Sequence, residues 1–529
     1  MTSTERTVGM ADTFKDCDTK SMEDIDEEME SLSIKPSEDE SELIVDGFMV
    51  SGTFTDVASN QCRTPVIPSF EESSDTLVEG PDSRAISPVG HSLTATKLKV
   101  SSSNLIQAVV LSLWDNIVGP RILHVWKGEA CNETVETFKY LSIYTLNGEI
   151  CRDLTCGGID TKFYVMSRRK LCVLALIFGA KGKCGPSVHC LSVVMSSNDL
   201  QKYVTWQRTL HAWLKRRIAV LRVLMEKDEY DKGIHFLNAS INKTMRMLQS
   251  LQLDGLPSCI KLEDTYFYNE DSSKDFLLRK SITSHLMTCG RSVVTGTVDS
   301  EINKMVSTLA LFNTSAERQC SRFCSHERNW PYHHDLCVQG WLPPSYNLRQ
   351  SVLDKIPLGE MQCAEYPTSI IDVKTHEVRQ TLPVNEHHTR RHDFLSQEVT
   401  HPYSKHDVKY PEKNILDNLQ YPENLVHRFM KELFAIPVGL RLSFIQLFIR
   451  TIERKALVLI KSAEVDSDQG RSAPKTNPRK LRQDLGLQLE GDFRIVLAMA
   501  EKLKPGIYTY LLGDSLNHEL ARNISLYSV

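Results

Sequence analysis

The sequence predicts an α/β protein built from two folded modules behind an acidic, disordered extension. Three observations carry that reading. Closely spaced β-branched runs precede one long amphipathic helix, short apolar strands then alternate with helices, and the final stretch is mostly helical. At 529 residues the chain has room for two or three units of about 150 residues each.

The extension comes first. Residues 1–100 carry 21 Asp+Glu against 8 Lys+Arg, a balance of −13, with an acidic block from Glu23 to Glu30, and about a quarter of them are Ser or Thr. Such a segment buries too little apolar surface to offset the entropy of ordering it, which predicts disorder. Within it Ser87-Pro88 has the form of a proline-directed phosphorylation site, and Phe54-Thr55-Asp56-Val57 that of an autophagy-receptor ligand; both patterns recur by chance. The other residues balance to +8, too weak a charge for nucleic acid.

Order begins near Leu105. Ile106 to Trp114 is aliphatic and β-branched, Asp115 to Pro120 breaks it, and Ile122 to Trp126 resumes, which predicts a hairpin. Glu133 to Leu146 reads as a helix ending at Asn147-Gly148, a pair suited to a left-handed cap. Lys162 to Ser167, Leu171 to Phe178 and Val188 to Met195 read as antiparallel strands because their connections are short. Asn198-Asp199 is then expected to cap a long helix with Tyr203, Trp206, Leu210, Trp213, Ile218, Leu221 and Leu224 on its apolar side.

From about Asp254 the pattern changes. Helices are predicted over Phe276 to Met287 and from Asp299-Ser300 to Leu311, with extended runs at Ser292 to Thr295, Leu336 to Trp341 and Thr368 to Val373, an α/β layer with some parallel pairing. Beyond Asp407 helices are expected over Leu425 to Phe434, Leu442 to Lys461 and Asp492 to Leu503. Ala463 to Gln483, with Gly470, Pro474 and Pro478, lacks periodicity and is read as a flexible loop.

The ends and the totals narrow the class. Met1 to Cys17 has no apolar core of a secretory signal, and the longest uncharged apolar run, Leu171 to Ala180, falls short of the roughly 20 residues a bilayer crossing needs. Fourteen thinly spread cysteines read as reduced thiols. The expectation is a cytoplasmic protein with peripheral membrane contact at most.

Chemical motifs are weighed next. Gly179 to Gly185 is glycine-rich and basic but lacks the spacing of a phosphate-cradling loop, so it reads as a hairpin connection. Cys320, Cys324, His326, His333, His334 and Cys337 supply zinc-type donors at a spacing that fits no standard knuckle. His376, His387, His388 and His392, beside Arg390 and Arg391, read as a solvated loop. No G-x-S-x-G elbow or H-E-x-x-H pair is present. Arg121 at the hairpin is expected to pair with Asp115 rather than serve as an arginine finger. Arg208, Lys215, Arg216, Arg217 and Arg222 are expected on a wet helix face. No catalytic, cofactor-binding or metal residue is assigned.

The predicted β-β-α-β-β-β-α order is that of a longin module. The run Trp114 to Arg121 with His124-Val125-Trp126 resembles the opening hairpin of the chromosome 9 open reading frame 72 DENN family, which is associated with amyotrophic lateral sclerosis and frontotemporal dementia. Colinear segments agree: Thr145 to Ile150, Ser284-His285-Leu286, Thr288-Cys289-Gly290, Ala316-Glu317-Arg318, Val338-Gln339-Gly340, Tyr366-Pro367-Thr368, Lys455-Ala456-Leu457 and Lys504-Pro505-Gly506. The acidic extension and the residues after Gly513 depart from the family pattern, as do the histidines near Cys320.

Behind the extension over 1–103, which composition alone predicts to be disordered, the resemblance implies a longin (upstream DENN) domain over 104–232, a central DENN α/β domain over 233–405, and a helical downstream DENN domain over 406–529 with a flexible loop at 463–483. It further implies a guanine nucleotide exchange factor for Rab or Arf GTPases in autophagy and in endosomal and lysosomal trafficking. The implied partners are the Smith-Magenis syndrome region DENN protein and the WD-repeat protein forty-one. Alternatively, the chain is a scaffold in a GTPase-activating complex whose arginine finger lies on the partner DENN protein. Exchange works through a surface that holds switch loops open, which leaves no side-chain signature.

Overall fold

A computed structural model describes residues 95–97, 105–129, 131–148, 158–182, 185–271, 273–342, 358–400, 416–418, 421–468 and 478–512. The acidic block, Phe54 to Val57 and Ser87-Pro88 lie outside the described residues.

The first module contains strands β1 (Ala95–Lys97), β2 (Ile106–Asp115), β3 (Gly119–Lys127), β4 (Ile159–Met166), β5 (Leu171–Gly182) and β6 (Gly185–Ser196). Its helices are α1 (Val135–Leu146), α2 (Leu200–Glu226) and α3 (Tyr230–Asp254). The sheet order is β1-β3-β2-β6-β5-β4, antiparallel except that β1 runs parallel to β3. Strands β2 to β6 are those expected from the apolar runs, whereas β1 falls in the segment read as disordered and adds a short edge strand beside β3.

Why the runs are unbroken rather than alternating is visible in the packing. Ala108, Val110, Leu171 and Val173 point to α1 and meet Phe138 and Leu141. Their neighbours Val109, Leu111, Cys172, Leu174 and Leu176 share a core with Trp206, Leu210 and Trp213 of α2. Successive strand residues face opposite sides, and helices cover both, so most positions are apolar. Each fully buried aliphatic side chain contributes on the order of 1.5–3 kcal/mol.

Local signals set the element ends. The β2–β3 hairpin pairs Asp115 with Gly119 around a three-residue loop, and Gly119 takes φ +86°, a conformation that favours glycine. Thr134 caps α1 by accepting from the Thr137 amide, and Gly148, at φ +97°, follows its last turn. The expected Asn198-Asp199 cap differs: Ser196 accepts from the Asn198 amide at a short 3₁₀ turn, and Asp199 instead pairs with Lys202 at 2.8 Å. α3 was not anticipated beyond Leu224, because Gly233, Asn238, Ser240 and Asn242 dilute its stripe of Leu237, Ile241, Met245 and Leu248.

The second sheet comprises β7 (Ser292–Thr295), β8 (Val338–Trp341), β9 (Ser369–Asp372), β10 (Glu377–Thr381) and β11 (Leu416–Asn418), in the order β11-β10-β9-β7-β8. Central β7 is parallel to both β8 and β9, the parallel pairing expected of alternating helices and strands. Helices α4 (Asp275–Met287), α5 (Asp299–Ala310), α6 (Ser315–Gln319), α7 (Leu358–Met361) and α8 (Val384–Thr400) accompany it. Asp299 begins α5 but takes no part in a side-chain cap; its carboxylate accepts from the His326 amide at 2.9 Å.

The C-terminal part is helical: α9 (Leu425–Ala435), α10 (Val438–Asp468), α11 (Pro478–Asp484), α12 (Glu490–Leu503) and α13 (Ile507–Leu512). The segment read as a loop over 463–483 is helical at both ends, in α10 and α11, while 469–477 lies outside the described residues. Phe267 and Phe312 of the α/β layer stack edge-on against Phe429 of α9, whose ring lies 4.1 Å from Phe448 of α10, so the helices and the sheet share one core.

Candidate functional site

Three features of the surface and interior stand out, and none holds a nucleophile matched to a base. The first is the β2–β3 hairpin. Asp115 Oδ1 accepts from the Ile117 and Val118 amides at 2.9 and 3.2 Å, and Asp115 Oδ2 pairs with Arg121 at 3.1 Å. The two amides first, and the guanidinium after them, hold the Asp115 carboxyl below its ordinary value. The tip carries Ile117 at 95% and Val118 at 71% exposure. Arg121 therefore has the bland role expected of it, a partly exposed ion pair of little energetic weight, while Asp115 itself braces the turn. Arg121→Ala should leave the urea unfolding midpoint at the wild-type value, while Asp115→Ala, which also strands two amides, should lower it; equal midpoints for all three would refute this account of the turn.

The second feature is an exposed aromatic and aliphatic face. Tyr140, Ile143 and Tyr144 on α1 are all exposed, Tyr144 meets Tyr164 of the edge strand β4 edge-on at 5.2 Å, and the Arg169 guanidinium covers Tyr140 at 4.6 Å. Exposed aromatic and aliphatic side chains beside a strand that pairs on one side only are a usual mark of a protein-binding surface.

The third is a buried charged seam joining the two modules. Glu398 of α8 bridges Arg216 at 2.6 Å and Arg217 at 2.8 Å on α2, with side-chain exposures of 11, 14 and 9%. Arg216 also donates to Cys363 Sγ at 3.3 Å and lies 3.3 Å from His334 Nε2. Arg208 pairs with Glu365 at 2.7 Å, Lys243 with Glu360 at 2.9 Å, and Arg291 with Glu365 at 3.5 Å. Burial works to raise the Glu398 carboxyl, yet the two guanidiniums together hold it below its ordinary range.

The seam corrects two expectations. Arg216 and Arg217 are not on a wet face, although exposed Lys215 is. A signal was present: Arg217 lies four residues from both Trp213 and Leu221, inside the apolar stripe of its helix. Nor is the His387 group a solvated loop. His387, His388 and His392 lie on α8, where buried His387 sits 2.9 Å from the Ala364 carbonyl through Nε2 and His392 remains exposed; His376 alone is on an exposed turn, between β9 and β10. The helix is polar enough to hide in the sequence, since its buried positions include His387 and Glu398.

The zinc-type donors disperse. Cys320 packs in the core of the first module and Cys324 in that of the second, and exposed His326 is paired with Asp299. Among the described residues, only His333, His334 and Asp335 converge, with ligand atoms within 4.8 Å of one another. Arg216, Lys243, Arg217 and Arg291 surround His334, a cationic setting that opposes a metal ion. The nine described cysteines are free thiols, seven of them buried. The Gly179 to Gly185 segment closes the β5–β6 hairpin at the Gly182–Gly185 pair. Among the described residues, no helix is long and apolar enough to cross a membrane.

Taken together, the fold and these features define an α/β protein of two packed modules, with an exposed hairpin tip and an exposed aromatic face on α1. Residues 140–387 match the model of the C9orf72-like protein family. Curated relatives include human "Guanine nucleotide exchange factor C9orf72" and, from Mus musculus and Rattus norvegicus, "Guanine nucleotide exchange factor C9orf72 homolog". Each is 32% identical over 465 residues, spanning 80% of this chain and 95% of the relative. The chain belongs to the C9orf72-like protein family.

Proposed function

We propose that this chain is a guanine nucleotide exchange factor for Rab or Arf small GTPases, acting as a longin-plus-DENN subunit of a multiprotein complex in autophagy and in endosomal and lysosomal trafficking. The observation that carries this reading is the match over 80% of the chain to relatives named as exchange factors. The architecture supports it. Exchange needs no proton transfer or nucleophile, only a rigid surface that holds a GTPase's switch loops away from the nucleotide, and the seam fixes the two modules into one body that can present such a surface.

The exposed α1–β4 face supplies a docking area for a second DENN protein of the Smith-Magenis syndrome region type, with the WD-repeat protein forty-one as a further subunit. The protein acts in the cytoplasm and is recruited to endosomes, autophagosomes and lysosomes. The test is release of fluorescent GDP from purified Rab and Arf GTPases by this chain, alone and with its partners. The expected result is acceleration of at least about tenfold, or about 1.4 kcal/mol of barrier. An unchanged release rate in every combination would overturn exchange activity.

One observation favours a second reading, a scaffold role in a GTPase-activating complex. Arg121 is held by Asp115, so the hairpin does not offer a free finger. Under that reading the complex accelerates GTP hydrolysis, Arg121→Ala leaves the rate intact, and loss of a partner arginine abolishes it.

A further inference from the structure

We infer that the cleft between α3 and the segment that enters β8 is a binding site for a phosphate-bearing small molecule. The cleft measures about 680 Å3, a size suited to small-ligand sites. Asn238, Asn242, Lys243 and Arg246 project from one face of α3, and Arg322 and His333 stand opposite. Among the described lining residues none is a carboxylate. Arg246 and Pro331 at the rim are exposed, while Arg322 and His333 are only 1% and 3% exposed.

Two buried groups in this lining are incompletely partnered. The Arg322 guanidinium donates to Ser250 Oγ at 2.9 Å, to Gln339 Oε1 at 3.3 Å and to the Pro331 carbonyl, all neutral acceptors, and its Nε has no partner. A buried cation held only by neutral groups retains most of its desolvation cost, which an anion would offset. His333 Nδ1 accepts from the Asp335 amide at 3.3 Å, which places the proton of the neutral ring on Nε2, and that atom has no acceptor.

The remaining charges leave the cleft cationic. Lys243 is paired with Glu360 but half-exposed, Asp254 near Arg322 is engaged by Arg328 and Trp330, and the Asp335 carboxylate lies 3.5 Å from His333 Nδ1, the ring nitrogen opposite the unpartnered Nε2. Arg246 makes no ion pair or hydrogen bond among the described residues and stands two helical turns from Asn238 on the same face. Lys243, Arg246, Arg322 and the His333 Nε2 proton thus form a set of donors on both walls. A tetrahedral phosphate accepts from several directions at once and suits such a set. This inference stands independently of exchange activity.

The experiment titrates the full-length protein with pyrophosphate by isothermal calorimetry, with citrate at matched ionic strength as the carboxylate comparison. Saturable one-to-one pyrophosphate binding is expected, weakened about tenfold or more by Arg246→Ala, which alters only an exposed side chain, and again by Lys243→Gln. No saturable binding, binding that both variants leave unchanged, or citrate binding as tight as pyrophosphate would overturn the assignment. Vesicles containing phosphatidylinositol 4-phosphate separate the sources: Arg246-dependent capture, competed by pyrophosphate, assigns a lipid headgroup, and pyrophosphate binding without capture assigns a soluble ligand.

Discussion

Replacing Glu398 with Ala should destabilise the protein by about 3–5 kcal/mol, because it leaves Arg216 and Arg217 buried without their counter-charge. The loss arises mainly from the stranded guanidiniums and less from the attraction removed. That distinction has its own test. Arg216→Met, Arg217→Leu and Glu398→Leu combined should recover most of the stability, since a well-packed apolar cluster of similar volume often matches a buried ion triad. Urea unfolding, followed by circular dichroism, measures both. A change below about 0.5 kcal/mol for Glu398→Ala would mean that the seam is wet or open in solution. The same variant should make the α2–α8 junction more sensitive to protease, as this carboxylate is a direct tie between the two modules.

Acidification should produce the other large effect. His189, His285 and His387 are almost completely buried, and burial pushes their pKa values down to about 4, 4 and 3 respectively, from the ordinary 6.5. For a group depressed in the native state, the unfolded chain binds the proton first. Stability is therefore fully present above pH 6.5, declines as pH falls through the interval from 6.5 to about 4 for His189 and His285 and to about 3 for His387, and is lost below it. Near pH 5 unfolding should take up roughly three protons, a slope of about 4 kcal/mol per pH unit. His333 and His334, also driven down by burial, add to that slope.

His285 gives the sharpest single check. Its Nδ1 lies 2.8 Å from Ser292 Oγ and its Nε2 3.1 Å from Asn313 Oδ1, while Asn313 Nδ2 donates to the Gly290 carbonyl, which fixes Oδ1 as the acceptor. A protonated ring would have to donate to both, so Ser292 would lose its acceptor. His285→Gln should reduce proton uptake on unfolding by about one. If stability between pH 6.5 and 4 changes by less than one proton's worth, these histidines are not neutral and buried as described.

Much of this fold was legible because the driving term is local. On β5 the run from Leu171 to Phe178 alternates between two helix-covered faces, so an unbroken apolar string marks a central strand without knowledge of its neighbours. Ser292 to Thr295 was found on the same grounds, and its parallel partners follow from the helices between them. α8 was not legible. Its residues are polar, and only the approach of Arg216 and Arg217 makes burial of Glu398 tolerable. The cysteines show the converse: six zinc-type donors within eighteen residues look convergent on paper, yet Cys320 and Cys324 fill different cores.

The sequence by itself determined the strands and helices whose apolar period is complete, the family through colinear motifs, and the lack of a hydrolase signature. Periodicity and motif are properties of neighbouring residues, and so survive without a fold. Only the tertiary structure decided which charges are buried, that Arg217 closes a seam while Lys215 faces water, and that Arg322, Arg246 and His333 line one cleft. These pairings join residues up to 182 positions apart, and their energy depends on the dielectric around them, which packing alone sets.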